Sequence, residues 1–156
     1  MTGLDSTDFA ILALLQEDAD RPIQQIADAV HLSQNACWRR IRHMEEAGVI
    51  KKRVALLDAA KLGVGLTVFV QVRAAEHSEK WLESFAAAVK TVPEIVEFYR
   101  MTGEIDYLLK MRVADMQGYD RAYKALIRSA RLADVSASFA MEEIKVTTAI
   151  PLPARR

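Results

Sequence analysis

Asn35, Arg39 and Arg42 follow one another at steps of four and three within LSQNACWRRIRHMEEAGVIKKR, the stretch from Leu32 to Arg53. On a helix that spacing places all three on one face. An asparagine amide offers a donor and an acceptor that match the two-point edge of adenine, and an arginine fork matches the two acceptors of guanine. Gln34 lies at the helix start, where base contacts concentrate, directly after Ser33. Arg42, Lys51, Lys52 and Arg53 suit phosphates, which set register and affinity without carrying sequence information, and His43 lies slightly to one side of the same outer arc. The expected DNA-facing set is therefore Ser33, Gln34, Asn35, Arg39, Arg42, His43, Lys51, Lys52 and Arg53. The competing explanation is a solvated helix face whose arginines pair with Glu45 and Glu46.

Three helices are needed to hold such a face. Asp5 or Ser6 can cap a first helix carrying Phe9, Ile11, Leu12 and Leu15 and ending between Gln16 and Asp20. Pro22 opens a second, with Ile23, Ile26, Ala27 and Val30 at helical spacing. Val30, His31 and Leu32 form a turn, Ser33 caps the third helix and Gly48 ends it. His31 stands where glycine is usual, so a left-handed residue is expected there at some steric cost. On the third helix Cys37, Ile41 and Met44 share a narrow arc, the packing side. Trp38 flanks that arc and reads either as a core or domain contact or as a DNA-backbone contact. Cys37 reads as a small buried hydrophobe, or as a sensor thiol if exposed with a lowered pKa. Val49 to Leu57 reads as a strand or hairpin, giving a winged helix-turn-helix over residues 1–55.

The whole chain has 156 residues, 51% of them hydrophobic, and 21 basic against 21 acidic residues. Affinity for a polyanion must then come from local charge. Between Ser33 and Arg53 six basic residues face two acidic ones. The single cysteine cannot make an intrachain disulfide, no secretory signal pattern opens the chain, and no apolar run is long enough to span a bilayer. These features predict a cytoplasmic protein without membrane contact. His31, His43 and His77 lack metal-ligand spacing and no glycine-rich phosphate loop is present, so neither a catalytic site, a metal nor a cofactor is expected.

After a linker at 56–65, DAAKLGVG within it, the period changes to two. Leu66 to Ala74 alternates as a strand, and Ser78 caps a helix burying Trp81, Phe85 and Val89, stopped near Pro93. Glu94 to Met101 is a second strand, Gly103 a turn, and Ile105 to Val113 a third strand. Asp115 opens a helix with Met116, Tyr119, Tyr123, Leu126 or Ile127, and Ala130 inward; a last strand runs from Val135 past Met141 with a bulge near Glu142 and Glu143. The order βαββαβ predicts a ferredoxin-like α+β domain over residues 66–156. Both helices cover one sheet face. The other is left with Phe69, Phe98, Leu108, Ser138 and Ala140, a patch that predicts pairing of two copies.

LSQNACWRRIRHMEEAGVI, VALLDAAKLGVGLTVFVQV, GEIDYLLK and SFAMEEIK, in this order along nearly the whole chain, resemble the Lrp/AsnC (feast/famine) transcriptional regulators. RMTGEIDYLLKMRVADMQGYDRAYKALI and DVSASFAMEEIKVTTAIPL are most similar to the subgroup of cysteine-responsive regulators of cysteine detoxification. The resemblance implies a sequence-specific regulator that binds double-stranded DNA. Its second domain senses a small amino-acid effector, cysteine first, between dimers that can assemble into octamers. It also implies an effector loop at Thr102, Gly103, Glu104 and Asp106, with Ser138, Phe139 and Ala140 on the facing strand. Backbone N–H groups near Gly103 suit a carboxylate and Asp106 an ammonium group; alternatively Gly103 only turns the chain and Asp106 caps that turn. A second function compatible with the sequence is an amino-acid-sensing assembly protein without specific DNA readout.

Overall fold

A computed structural model describes residues 3–129 and 132–153. The chain forms two compact units. The described part of the first comprises Gly3 to Ala55 together with Lys145 to Pro153; the second is Leu56–Ile144. The last segment, placed with the sheet domain by sequence alone, thus groups with the helical unit.

In the first unit α1 (Ser6–Glu17) is capped by Asp5, which accepts the Asp8 N–H at 2.9 Å while Asp8 accepts the Asp5 N–H at 3.0 Å. This reciprocal pair satisfies two of the four N–H groups a helix start leaves open. α2 (Ile23–Ala29) begins after Pro22. His31 takes φ 56°, as the turn requires, and the Leu32 N–H donates to the Ala27 carbonyl at 2.9 Å. Ser33 caps α3 (Gln34–Glu46) by accepting from the Ala36 N–H at 3.3 Å. Gly48 follows at φ 71°, and the Met44 carbonyl accepts from both Val49 and Ile50. Ile11, Leu12, Ile26, Ala27, Cys37, Ile41 and Met44 form the buried centre. Leu152 packs against it from the chain end, where Ile150 and the Gln16 side chain exchange hydrogen bonds of 2.8 and 3.2 Å.

The wing expected over Val49 to Leu57 has no strand pairing among the described residues. Val49 and Ile50 pack on the helical core, but Val54, Leu56 and Leu57 are exposed. A strand exists only as part of a ladder, and no described segment supplies the second edge.

The second unit runs β1 (Leu66–Ala74), α4 (Glu79–Lys90), β2 (Ile95–Arg100), β3 (Tyr107–Val113), α5 (Met116–Ser129) and β4 (Leu132–Phe139). The sheet order is β2-β3-β1-β4 with every neighbouring pair antiparallel, the ferredoxin-like arrangement. Val68, Val70 and Val72 lie beside Met111, Leu109 and Tyr107, and all six are buried under α4 and α5. Phe85 of α4 is the centre of an aromatic cluster with Trp81, Phe98 and Tyr107 at 5.0 to 5.6 Å between ring centroids.

Four details of the second unit differ from the sequence expectation. Phe98 belongs to the helix-covered side: the β2–β3 register shifts between Ile95 and Glu97, so Glu97 and Tyr99 take the open face instead. β3 starts at Tyr107 rather than Ile105. β4 starts at Leu132 and ends at Phe139; its irregularity lies opposite Arg73 and Ala74, and the chain leaves the ladder after the Ala140 N–H donates to Thr67 at 3.0 Å. Leu126 rather than Ile127 is the buried member of α5 and Met116 is exposed, while Ala130 lies outside the described residues.

Candidate functional site

Gln34, Asn35, Arg39, Arg42 and His43 are all exposed on α3; Asn35, Arg39, Arg42 and His43 lie opposite the buried Cys37, Ile41 and Met44, and Gln34 is exposed in the first turn. The basic residues of this region separate into distinct roles. Arg40 points away from the outer face: its Nη1 meets Asp5 Oδ2 and Asp8 Oδ1, each at 2.8 Å, clamping α3 to the start of α1. Arg42 is half-exposed and makes long pairs with Glu45 at 3.5 Å and Glu46 at 3.9 Å. Arg53 reaches Glu45 at 3.2 Å and the Ala19 carbonyl at 3.4 Å, holding the segment after Gly48 against the helices. Arg39 makes no ion pair among the described residues and stands at the middle of the outer face. Lys51 and Lys52 are exposed, and the Ser33 side chain is occupied as the cap. The ion-paired explanation of the helix face therefore holds for Arg42 and fails for Arg39, while Arg53 pairs with Glu45 from the segment after the helix.

Sequence reasoning counted Arg40 as free charge and missed its structural use. The available signal was the acid pair Asp5 and Asp8 opening α1, one turn apart on a helix that must pack against α3. The Asp8 N–H and then the Arg40 guanidinium hold the Asp5 carboxyl below its ordinary range, and Asp8 followed by Asp5 raises Arg40 further. Because the folded value of Asp5 lies below 3.8, its contribution to stability is fully present above that pH and is lost as pH falls through the lowered value. Asp5→Asn is expected to lower the melting temperature at neutral pH, with the gap to wild type closing once the pH drops below 3.8. Circular-dichroism melts across pH check this; a gap that stays constant in acid contradicts it.

Trp38 is 54% exposed, which removes the core-contact reading. Cys37 is fully buried, and burial pushes its thiol above its usual range, the opposite of a reactive sensor.

The residues of the expected effector site fall into two groups. Thr102, Gly103 and Glu104 form an exposed turn between β2 and β3, with Gly103 at φ 109°, a conformation that favours glycine. Asp106 ends this turn. Its Oδ2 accepts from the Ala74 N–H at 2.8 Å, its backbone N–H donates to Val72, its carbonyl accepts from Met101, and Oδ1 lies 3.8 Å from His77 Nδ1. Half of this carboxylate is thus committed to tying the end of β1 to the turn. Ser138, Phe139 and Ala140 lie elsewhere. Tyr107, next to the turn, is level with Val72, whereas Ser138 is level with Phe69 and Ala140 bonds to Thr67. The separation is roughly 10–17 Å along the strands and about 10 Å across two strand spacings. One chain does not bring the two groups together. Phe139 moreover faces the helices, its ring 5.2 Å from Tyr119.

Beside Ala140 the open sheet face carries an organised polar group. Glu143 receives Arg112 at 2.8 and 3.2 Å and accepts the Thr67 hydroxyl at 2.5 Å. Thr67 first, then Arg112, hold the Glu143 carboxyl below its ordinary range. Lys110 pairs with Glu97 at 3.1 Å, and Tyr99 donates to the same carboxylate at 2.7 Å. Among the described residues no cluster has the composition of a metal site, and no helix is long and apolar enough to cross a membrane.

Comparison with known proteins agrees with both units. Residues 4–51 match a winged helix-turn-helix DNA-binding family and residues 67–150 match the Lrp/AsnC ligand binding domain. The glutamate uptake regulatory protein of Zymomonas mobilis is 54% identical over 96% of this chain and 92% of its own length. The DNA-binding transcriptional activator DecR of Escherichia coli is 46% identical over 96% of this chain and 99% of its own. Among solved structures, an AsnC family transcriptional regulator from Agrobacterium tumefaciens superposes with a TM-score of 0.92 at 50% identity, covering 95% of this chain and 97% of that one. The transcriptional regulator NMB0573 of Neisseria meningitidis, solved as a complex with L-Met, gives 0.90 at 34% identity, covering 95% and 96%. With a helix-turn-helix presenting a free arginine and a ferredoxin-like ligand-binding domain, this chain belongs to the Lrp/AsnC family of DNA-binding transcriptional regulators.

Proposed function

We propose that Asn35 and Arg39 read base edges in the major groove, with Gln34 at the groove entrance, while Arg42, His43, Lys51, Lys52 and Arg53 contact phosphates and Ser33 holds the helix start. The observation that carries this reading is the freedom of Arg39 beside three arginines that are already engaged. Two copies paired through the open sheet face, where Phe69, Tyr99 and Leu108 lie among ion pairs, would deliver two such helices to half-sites about 34–36 Å apart or a multiple of that. The unpaired segment ending at Leu57 adds exposed apolar surface that pairing can cover. The protein works in the cytoplasm, where both DNA and free amino acids are available.

The effector we assign is a small amino acid, cysteine first, at a site assembled from the Thr102–Asp106 turn of one copy and Ser138, Phe139 and Ala140 of another. Support comes from the distance between the two groups within one chain and from the L-Met bound to the Neisseria regulator. Such a site makes effector binding and the assembly of dimers into octamers one linked equilibrium. Thermal-shift screening with the twenty amino acids should then show one clear stabiliser, since a ligand bound only by the native state raises the melting temperature. Gly103→Val and Ser138→Trp should each abolish that shift when pure. Co-refolded together they should recover part of it, because some interfaces then combine an intact turn with an intact strand. No recovery contradicts the two-copy site, and no stabiliser at all contradicts amino-acid sensing.

A further inference from the structure

Trp38 presents the largest apolar ring on the outer surface of the helical unit, and the core does not explain it: Cys37, Ile41 and Met44 supply the buried side of α3 without it. It stands one turn before Arg42 and one turn after Gln34, offset by about 40° from each around the helix axis. The guanidinium carbon of Arg42 lies 5.9 Å from the centre of the indole, within cation–π range. The other partners of Arg42 are the long, solvent-exposed pairs with Glu45 and Glu46, of the kind that contribute little. Asn35 and Arg39 occupy the middle of the outer face, so Trp38 sits at its edge. When a helix lies in a major groove about 12 Å wide, its edges meet the sugar–phosphate walls.

We propose that Trp38 is a DNA-backbone contact of α3, its indole lying against a deoxyribose of one groove wall, its Nε1–H donating to a phosphate, and its ring face holding Arg42 ready for the neighbouring phosphate. The proposal rests on α3 being the groove helix. Duplex DNA is the occupant because the exposed ring is embedded in a basic segment, six basic residues against two acidic from Ser33 to Arg53, which complements phosphate and repels a basic partner. A tryptophan suits this position: its body is apolar, matching the sugar, and its edge is a donor, matching the phosphate.

The test uses the full-length protein and two duplexes, one selected from a random-sequence pool by the wild type and one of unselected sequence. Trp81 is buried in the sheet unit, so a change of tryptophan emission on adding DNA reports Trp38, and Trp38→Phe should abolish it. Trp38→Ala should weaken binding to both duplexes by about tenfold while leaving the salt slope unchanged, since no charge is removed; Arg42→Ala should lower that slope by about one. The loss from Arg42→Ala should also shrink in the Trp38→Ala background, because the ring no longer orders the arginine. The proposal is overturned if Trp38→Ala binds both duplexes like wild type while Arg39→Ala loses sequence preference. It is equally overturned if Trp38→Ala alters the sedimenting mass rather than DNA affinity, which would make the indole a protein contact. If Arg39→Ala also keeps full preference, the groove assignment of α3 falls first and this proposal with it.

Discussion

Phe85→Ala is expected to destabilise the sheet unit by about 3–5 kcal/mol, the usual cost of truncating a fully buried phenylalanine. The ring has no exposed surface and touches the aromatic faces of Trp81, Phe98 and Tyr107, so its removal leaves a cavity lined by three stiff side chains that cannot collapse into it. That loss is a large share of the roughly 5–15 kcal/mol that holds a domain together. The helical unit has its own separate core and should keep its α-helical signal. Urea unfolding followed by near-ultraviolet circular dichroism reports the aromatic cluster, whereas helix content reports both units, since α4 and α5 belong to the sheet unit. The expected result is a lower midpoint for the aromatic signal and for the helix signal of α4 and α5, with the helix signal of α1 to α3 lost only at the wild-type midpoint, accompanied by weaker DNA binding as paired copies separate into single helix-turn-helix units. An unchanged midpoint would show that Phe85 does not organise this core.

Arg39→Ala is expected to reduce discrimination between a selected duplex and its single-base variants by about 1–3 kcal/mol, or 5- to 150-fold, at one position per half-site. The side chain is exposed and makes no ion pair among the described residues, so truncation should leave the melting temperature close to wild type. Lys52→Ala serves as the contrast: it should weaken all duplexes alike and lower the salt slope by about one. Fluorescence anisotropy with labelled duplexes at several salt concentrations distinguishes the two patterns. If both variants merely weaken binding uniformly, Arg39 is a phosphate contact and the readout lies elsewhere.

Local signals carried most of this architecture into the sequence. Asp5 and Ser33 are caps with a direct hydrogen-bonding reason to be where they are, Gly48 ends a helix at positive φ, and the valines of β1 alternate because one sheet face is buried. What was not legible depends on contacts distant in sequence. A register shift opposite β3 moved Phe98 to the helix side, which alternation along β2 alone cannot show. The wing needs a second strand that the described chain does not supply. Arg40 looked like its neighbours Arg39 and Arg42 until the acid pair of α1, more than thirty positions away, was placed beside it. The effector residues show the same limit: the turn at Gly103 was readable, but its separation from Ser138 follows only from strand pairing. Trp38 lay at the boundary of the packing arc on the wheel, where a few degrees decide between core and surface, and the core was already filled from the other side.

The central claim, that the outer face of α3 reads bases through Arg39, is tested most directly by replacing guanines with 7-deazaguanine one at a time in a selected duplex. This removes the N7 acceptor from the major groove and leaves base pairing intact. The expected result is one guanine in each half-site whose replacement weakens wild-type binding and has no further effect on Arg39→Ala. A profile in which no replacement matters, or in which wild type and Arg39→Ala respond alike at every guanine, would contradict it.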